Sequence, residues 1–452
     1  MSDTESEVGA FTYFRQFFAL ERDVLVLSLA MFAFSLGFQM TGRYMPRYMS
    51  VLGASSIAIG LFGSFGNLIS AVYPYPGGAL SDRVGSRSAL TLFGLASTVG
   101  FLVWLFAESF GFVTLGLSLG GVTLLEPVAL PVGIFLGLVF AQAWKSFGLG
   151  ATFAIVKQSV PPGKLATGFA STETFRRTAF LLGPLLAAAV LARYAFGAGF
   201  RLILAVAAVV ALVATVAQHL LYDASEDTLG KSFAGVSGVL DDLAGLPSPL
   251  KPLLVADTLI RFANGMVYVF FVIVVTEFLA ASATLPVVGF LNPDALFGVL
   301  LSVEMAVALL SMVPVAKLAE RVGLKPVVAL GFVVYAVFPI LLIAVPESGL
   351  PIAGFTFTPS ALLFVLFAFS GLRFAGLPAH KALIVGPAAQ NAGGRVTGTY
   401  YLVRNTVVIP SAAVGGALYA GSPQFAFGVA SAIGLVGVAV FLLFGEEFEA
   451  YA

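Results

Sequence analysis

Residues 77–90 read GGALSDRVGSRSAL and lie between two long stretches without any charged residue. Only 10% of the 452 residues are charged, yet three charged residues lie close together here: Asp82, Arg83 and Arg87. Two glycines, Gly78 and Gly85, lie beside them. Glycine lets a helix end and the chain turn, and basic residues collect in short loops on the cytoplasmic side of membranes. The stretch therefore predicts a short cytoplasmic loop between two apolar helices.

The composition supports a membrane protein. Hydrophobic residues make up 59% of the chain, against about 45–50% in soluble domains, and apolar runs of 18 or more residues recur from end to end. The 23 basic and 23 acidic residues balance, which excludes a general nucleic-acid role. No cysteine is present, so thiol chemistry is absent. Residues 1–23 are acidic and do not predict a cleaved signal peptide.

Twelve segments are long and apolar enough to cross a bilayer, and we number them I to XII. They lie near 24–48, 55–79, 88–108, 130–157, 165–191, 200–221, 252–278, 295–317, 326–346, 358–384, 395–419 and 423–445. Residues 109–129 are also apolar, but their glycines and prolines favour an external re-entrant loop or an extended hairpin.

A polar connection at residues 222–249 divides the segments into two sets of six. We predict an N-terminal six-helix bundle at 1–221, a central cytoplasmic loop at 222–250 and a C-terminal bundle at 251–452. With a cytoplasmic N-terminus, thirteen Lys and Arg residues fall at cytoplasmic loops and four fall outside, at Arg43, Arg47, Arg193 and Arg201. This positive-inside bias predicts a multi-pass protein of the cytoplasmic (plasma) membrane with both termini in the cytoplasm.

The two halves repeat each other. LSDRVGSR at 80–87 is echoed by LAERVGLK at 318–325, and ATGFASTETFRRT at 166–178 by VTGTYYLVRNT at 396–406. Two pairs of cations are separated by the same 228 positions: Lys145 with Arg373, and Arg176 with Arg404. A parallel repeat of two six-helix halves is one design of membrane carriers, with the substrate site between the halves near the bilayer midplane.

The loop that opens this section resembles the signature loop of the major facilitator superfamily (MFS), roughly G-x-L-x-D-R-x-G-R-[RK]-x-x-L. Six positions match this pattern: Gly78, Leu80, Asp82, Arg83, Gly85 and Leu90. Ser86 departs from it, because the family usually has a basic residue there. The resemblance implies an all-α membrane protein with twelve transmembrane helices in two pseudo-symmetric bundles. It also implies secondary transport by alternating access, in which one site opens to each side of the membrane in turn.

The same resemblance implies that this loop is a gate latch, with Asp82 capping the N-terminus of segment XI. The predicted gate comprises the loop and its weaker second copy: Gly78, Asp82, Arg83, Gly85, Arg87, Glu320 and Arg321. Independently of the family, we expect a left-handed conformation at Gly85 and close helix packing at Gly78. The alternative is an ordinary positive-inside loop.

Nine ionisable residues remain at membrane depth: Lys145, Arg176, Arg177, Arg261, Arg373, Arg404, Glu173, Asp257 and Glu304. Each charge costs about 2.5–3.5 kcal/mol at a helix centre, so these groups face water or each other. Six cations against three carboxylates favour an anion as substrate, because arginine grips carboxylate and phosphate bidentately. The predicted substrate-binding residues are Lys145, Arg176, Arg373, Arg404, Tyr401 and Asn405. The alternative is that the cations only stabilise packing.

Local spacing pairs some of these charges, since Asp257 lies four residues before Arg261 and Glu173 lies three and four before two arginines. Glu304 has no local partner, which suits a proton-coupling residue, and we predict proton coupling at Glu304, Glu173 and Asp257. A bridge from Glu304 to a cation on another helix is the alternative. His380 is either pH-sensitive or a polar residue of the cavity wall.

These observations predict a secondary transporter of a small solute, preferably an anion, by proton coupling or exchange. The alternative is a proton-coupled multidrug or metabolite efflux antiporter, because Gly183-Pro184 resembles part of the family's antiporter signature, with Ala187 and Ala188 in its final glycine places. A carrier of neutral solutes stays open. No P-loop is present in the sequence, so ATP is not the direct energy source. No metal-spaced cluster is present either, and we expect a protein that is not an enzyme and has no cofactor. We also expect a monomer in the lipid bilayer.

Overall fold

The computed structural model describes residues 22–119, 122–148, 152, 155, 165–223, 247–286, 288–352, 355–385 and 393–447. Helices lie at all twelve predicted segments. Segments I to VI contain Arg22–Thr41 and Met45–Val51, Ser56–Val72 and Pro74–Val84, Ser86–Leu105, Val132–Ala141 and Ala143–Phe147, Leu165–Leu191, and Phe196–Leu221. Segments VII to XII contain Leu250–Tyr268 and Phe271–Ile273, Pro293–Val322, Leu324–Ile343, Pro359–Gly371 and Leu377–Val385, Gly393–Val408 and Ser411–Gly421, and Pro423–Phe444.

The fold class is an all-α membrane protein, as predicted. Within the described ranges, eight helices are long and apolar enough to cross a membrane, or nine if the bent pair of segment VII counts as one span. Segments II, IV and XI are built from shorter helical pieces. The number of twelve crossings and the domain boundaries at 221 and 251 therefore stay predictions, and most of the central loop lies outside the described residues.

Three antiparallel hairpins follow segments III, VII and IX. The longest pairs β1 (Phe112–Leu119) with β2 (Val122–Pro131), and the others pair β3 (Ala283–Leu285) with β4 (Gly289–Leu291), and β5 (Leu350–Ile352) with β6 (Phe355–Phe357). Of the two structures considered for residues 109–129, the extended hairpin is therefore the one observed. We call the end of the bundle that carries the three hairpins the hairpin end.

Four helices that the repeat relates in pairs are interrupted. Segment I breaks at residues 42–44 and its mate, segment VII, bends by 46° after Tyr268. Segment IV breaks at Gln142, and its mate, segment X, passes through a 3-10 turn at Leu372–Phe374. Interrupted helices at membrane depth occur where backbone lines a cavity or is buried in protein. These four breaks therefore mark the centre of the molecule as the place to look for a site.

Small residues let the two halves approach closely. Segment II meets segment XI where a Cβ on Gly60 would lie 2.9 Å from the Cα of Gly416, and segment V meets segment VIII where a Cβ on Gly298 would lie 3.0 Å from Ala188. The Ser64 hydroxyl accepts a hydrogen bond of 2.8 Å from the backbone N–H of Ala413, just after the break in segment XI. The halves thus pack backbone to backbone, the usual solution for helices in lipid.

The glycine of the loop and its repeat mate adopt the same unusual backbone. Gly85 has φ +85° and Gly323 has φ +90°, and each joins one helix to the next. This confirms the positive φ expected at Gly85, although its ψ of 152° belongs to the extended region open to glycine and not to a left-handed helical turn. The packing expected at Gly78 was wrong: a Cβ there would meet nothing within 4 Å, whereas at Gly77 it would lie about 2.6 Å from the backbone carbonyl carbon of Phe147. The close approach falls one residue earlier because Gly77 is on the buried face of the helix.

A side chain at either junction should destabilise the protein. An L-residue held at positive φ costs roughly 1–2 kcal/mol, so we expect Gly85→Ala and Gly323→Ala each to lower the free energy of unfolding by that amount. Denaturant titration of the purified protein in mixed micelles measures the change. Gly421→Ala is the control, because a Cβ there meets open space. Equal stability of all three variants would contradict the expectation.

Candidate functional site

A cavity of about 250 Å³ lies between the halves at the broken helices. Segments II, VII and XI form its wall, and five of the lining side chains are polar or basic: Asn67, Arg261, Asn264, Arg404 and Asn405. The Oδ1 atom of Asn264 is buried and has no hydrogen-bond partner in the described structure. A wall of amides and guanidinium groups with an unused acceptor suits a small polar solute.

Asp257 holds the two arginines of this wall. Its carboxylate is fully buried and lies 3.3 Å from Nε of Arg261 and 3.0 Å from Nη1 of Arg404. The Tyr400 hydroxyl donates to the same carboxylate at 3.2 Å. The spacing-based pair of Asp257 with Arg261 is therefore confirmed. One carboxylate between two guanidinium groups leaves a net positive charge at the cavity wall.

Of the other predicted residues, Asn405 lies at this wall and Tyr401 lies behind it. Arg404 donates through Nε and Nη2 to Oδ1 of Asn405, at 3.2 and 2.9 Å, and its guanidinium lies 4.6 Å from the centre of the Tyr401 ring. Arg404 and Asn405 line the cavity, whereas Tyr401 stacks beneath the guanidinium. Tyr401 therefore orients the Arg404 side chain, and the Asn405 oxygen holds the guanidinium group in place through two hydrogen bonds.

Arg373 lies outside the cavity wall. Its side chain is 2% exposed and that of Glu304 is 3% exposed, and Nη2 of Arg373 lies 2.5 Å from Oε1 of Glu304. Ser370 donates to the same carboxylate oxygen. Of the two alternatives for Glu304, the structure shows the bridge to a cation on another helix. Arg373 does not contact a solute in the 250 Å³ cavity in this conformation, because its guanidinium group is paired with Glu304 away from the cavity wall.

Tyr335 connects the two charge clusters. Its ring centre lies 4.8 Å from the guanidinium of Arg261 and 5.1 Å from that of Arg373, and its hydroxyl accepts from Arg261 at 2.9 Å. A void of about 10 Å³ beside it is lined by both arginines and by His380, close to the smallest volume that holds one water molecule.

The orientation argument placed Arg43 on the external side, but the structure places it within the helical bundle. Its guanidinium stacks 4.3 Å from the ring centre of Tyr268, at the break in segment I. Arg43, Tyr268 and Glu304 line a second cavity of about 60 Å³. The count by loops missed this residue because a break inside a helix looks like a helix end in sequence.

The N-terminal half carries its own cations. Glu173 accepts hydrogen bonds from Arg176 and Arg177, at 2.8–2.9 Å, as the spacing predicted. Lys145 is solvent-accessible and lies 5.6 Å from the Phe38 ring centre, and its electrostatic neighbours are the cations Arg176 and Arg43. Neither Lys145 nor Arg176 lines the 250 Å³ cavity. The four predicted cations are thus not gathered on one wall.

With Arg43 added, the described interior holds seven cations around three carboxylates: Arg43, Lys145, Arg176, Arg177, Arg261, Arg373 and Arg404 around Glu173, Asp257 and Glu304. All three carboxylates have cationic partners. The excess of positive charge therefore remains after pairing, as the sequence indicated.

An ion cluster at the hairpin end was missed by the sequence analysis. Arg47 of segment I lies 2.5 Å from Glu277 and 3.2 Å from Asp294, which belong to the other half, and Ser50 donates to Glu277 at 2.6 Å. Nearby, the Asn292 amide donates to the carbonyl of Leu191 at 2.7 Å. These bonds join the halves at the hairpin end. No local spacing indicates them, since the partners are more than 100 residues apart.

The loop at 77–90 lies at the opposite end. Arg87 donates through Nε to the carbonyl of His219 at 2.7 Å, at the C-terminal end of segment VI. Arg83, Glu320 and Arg321 are exposed. The side chain of Asp82 lies outside the described part of the chain, so the latch to segment XI stays a prediction.

Comparison with known proteins points in one direction. Over 423 residues the chain is 22% identical to an uncharacterised MFS-type transporter of Methanocaldococcus jannaschii, covering 92% of this chain and 93% of that protein. No protein-family model matches. The fold is similar to that of nucleoside transporter NupG, with a TM-score of 0.71 and 14% identity over 94% of this chain and 100% of that chain.

Two further solved structures share this fold. A POT family transporter in complex with 5-aminolevulinic acid has a TM-score of 0.70 at 14% identity, over 94% of this chain and 96% of that chain. Peptide transporter POT in complex with sulfate has a TM-score of 0.66 at 15% identity, over 94% and 95%.

Proposed function

We propose that this chain, a multi-pass membrane transporter of the major facilitator type, carries a small anion across the cytoplasmic membrane by alternating access. The resemblance stated from the loop at residues 77–90 is confirmed at the level of the superfamily. The observation that carries the proposal is the cavity wall on which Arg261 and Arg404 share the single carboxylate of Asp257.

The chemistry of this wall favours an anion. Two guanidinium groups with one carboxylate leave positive charge unmatched, and guanidinium forks bind carboxylate or phosphate with two parallel hydrogen bonds. The neighbouring amides of Asn67 and Asn264 can donate further hydrogen bonds. A charged wall of this kind is costly in a membrane unless it serves a polar ligand.

The alternative, efflux of amphipathic compounds, finds less support. Such a carrier needs a broad apolar surface, whereas this cavity of about 250 Å³ combines an apolar lining, which includes Tyr268, Val269 and Val408, with five amide and guanidinium side chains. The residues of the antiporter-like stretch have a packing role: a Cβ on Gly183 would lie 2.6 Å from Gln39, and Ala188 packs against Gly298 of the other half. A neutral polar solute, such as the nucleosides named for one structural neighbour, remains a second candidate because of the three asparagines.

The closed hairpin end supports alternating access. The packing of segments II on XI and V on VIII, with the Arg47 cluster, blocks the cavity at that end. Accessible Lys145 and Arg176 lie on the other side of that closure. We propose that this is one of two conformations, and that the loop residues Asp82 and Arg83 help to close the opposite end in the other.

Coupling to protons belongs to the proposal. Glu173, Asp257 and Glu304 are the carboxylates available for it, and each must part from a cation to take up a proton. Exchange of one anion for another would need no such step. We further propose that the protein works as a monomer with both termini in the cytoplasm.

An isosteric charge in the cavity wall tests the anion. Asn67→Asp changes no shape but adds a negative charge near Arg404, and we expect it to weaken anion binding about tenfold or more, since a like charge a few ångströms away costs more than ~1 kcal/mol at an effective dielectric of about 20. Asn67→Ser is the matched control, because it removes the amide without adding charge. Binding is measured as thermal stabilisation of purified protein by sulfate, phosphate, 5-aminolevulinic acid, nucleosides and hydrophobic cations.

The outcomes separate the candidates. Stabilisation by anions that is weakened in Asn67→Asp and kept in Asn67→Ser supports the proposal. Stabilisation by nucleosides alone, equal in both variants, indicates a neutral solute. Stabilisation by hydrophobic cations that is stronger in Asn67→Asp overturns the proposal that the substrate is an anion and supports the efflux carrier.

A further inference from the structure

His380 stands beside the anion site without a hydrogen bond to its inner nitrogen. The imidazole is 4% exposed, and Nε2 has no hydrogen-bond partner in the described structure. The nearest carboxylate oxygen is Oδ2 of Asp257, at 3.5 Å. A buried polar atom without a partner is rare and calls for an explanation. Here a small rotation of the His380 side chain would bring Nε2 within hydrogen-bond distance of Oδ2 of Asp257.

Among the described residues, the charged and titratable groups that face His380 come from its own segment and from segments VII, IX and XI. Segment VII contributes Asp257 and Arg261, segment XI contributes Tyr400 and Arg404, and the histidine's own neighbour is Lys381. Segment IX adds Tyr335, beside the small void that His380 shares with Arg261 and Arg373. Within the described residues, the imidazole therefore has several cations and the single carboxylate of Asp257 around it.

We propose that binding of an anion to Arg404 and Arg261 is coupled to uptake of one proton at Nε2 of His380. This inference rests on the proposed function. The anion and Asp257 compete for the same two guanidinium groups, so an anion that binds Arg404 removes a cationic partner from a buried carboxylate. An unpaired buried carboxylate is strongly unfavourable. An imidazolium at His380 replaces the lost partner.

The step balances with water as the only other reactant. A proton from the aqueous phase forms the N–H bond at Nε2, and the new imidazolium donates it to Oδ2 of Asp257. When the anion leaves, Arg404 returns to Asp257 and the proton returns to water. The anion and the proton are therefore bound together and released together. His380 is the proton carrier, and Asp257 is the group that senses whether the anion site is filled.

This assignment differs from coupling through Glu304. The Glu304 carboxylate is closed on Arg373 and Ser370, and neither of these residues lines the 250 Å³ cavity. Filling the cavity leaves that pair unchanged, whereas it acts directly on Arg404. The cavity wall therefore connects the anion to His380 more directly than to Glu304.

Proton uptake on binding is the test, with sulfate as the probe because sulfate does not titrate near neutral pH. Sulfate binding is followed by calorimetry in two buffers of different ionisation enthalpy between pH 6 and 8. We expect uptake approaching one proton per sulfate, with affinity falling by about tenfold per unit rise in pH where His380 titrates. His380→Gln should bind sulfate with no uptake and no dependence on pH. The matched control is His219→Gln, because the chain has two histidines.

Nuclear magnetic resonance of the His219→Gln variant gives a direct signal. In protein with ¹⁵N-labelled histidine, the His219→Gln variant retains only the histidine resonances of His380. Sulfate should shift these resonances from the positions of a neutral imidazole to those of an imidazolium. This experiment needs no variant at position 380, so it decides the question even if His380→Gln does not fold.

Each outcome has one meaning. Sulfate that binds with no proton uptake, or with uptake that persists in His380→Gln, overturns the inference and leaves the anion carrier intact. No binding of sulfate by either method at any pH, together with no stabilisation by any other anion of the Asn67 test, overturns both. Uptake lost in His380→Gln and kept in His219→Gln supports both.

Discussion

Glu304→Ala is expected to lower the free energy of unfolding by about 3–5 kcal/mol, the cost of leaving one partner of a buried ion pair alone. Arg373 would keep its charge at 2% exposure. Two of its nitrogens, Nε and Nη1, already have no hydrogen-bond partner in the described structure. The surrounding rings of Tyr335 and Phe374, at 5.1 and 4.8 Å, offer the guanidinium only cation–π contact.

Denaturant titration in mixed micelles measures the loss, together with the fraction of protein that elutes as a single species. Glu320→Ala is the matched control, since it removes an exposed glutamate from the same helix. The double variant Glu304→Met with Arg373→Met should recover most of the loss, because replacing both buried charges by apolar groups is often close to neutral. If Glu304→Ala were as stable as Glu320→Ala, water would have to reach Arg373 in the native protein.

Gly60→Val should abolish transport while leaving the protein folded. At Gly60 a Cβ would lie 2.9 Å from the Cα of Gly416 and against the backbone of Ala412, so a branched side chain forces segments II and XI apart. Overpacking of this kind costs about 1–3 kcal/mol. Because that cost falls on the conformation closed at the hairpin end, we expect exchange of anion in proteoliposomes to drop at least tenfold.

The chain has no cysteine, so the shift in conformation can be measured directly. Spin labels on cysteines at Tyr194 and Phe425, exposed at the hairpin end in different halves, should move apart in Gly60→Val. Gly428→Val is the control, because nothing lies within 4 Å of a Cβ there. Unchanged label distances with normal exchange would show that the contact between segments II and XI is not required for closure.

Local spacing predicted the charges that lie on one helix. Glu173 with Arg176, and Asp257 with Arg261, are three or four residues apart, and helix geometry alone brings such side chains together. The positive φ at Gly85 was predictable for a similar reason, because a glycine between two helices has few other uses. The cationic excess also followed from sequence, since counting charges needs no tertiary structure.

Contacts between helices could not be predicted in this way. The bridge from Glu304 to Arg373 depends on how segments VIII and X pack, and apolar neighbours give no sign of it. Arg47 was predicted near the end of segment I, and the structure places it at the hairpin end, but its partners belong to the other half. The cost of burying a charge shows that a partner exists and leaves open which helix supplies it.

Arg43 shows a third kind of failure. Segment I was treated as one continuous helix with a charged end, so a cation at position 43 counted as an external residue. The turn at residues 42–44 instead lets the helix resume at Met45, which keeps Arg43 at depth against Tyr268. Interrupted helices at a binding site break the periodic pattern that identifies them.

A transporter whose interior holds seven cations around three carboxylates responds to voltage as well as to concentration. Each elementary charge that moves across the membrane potential changes the free energy by about 2.3 kcal/mol per 100 mV. A divalent anion that binds with one proton neutralises one charge of the excess, so the empty protein carries more charge through its conformational change than the loaded one, whereas a monovalent anion with its proton leaves that charge unchanged. For a carrier that takes a divalent anion with one proton, the return of the empty protein is therefore the more voltage-dependent half of the cycle, and the membrane potential acts most strongly on the rate of that half.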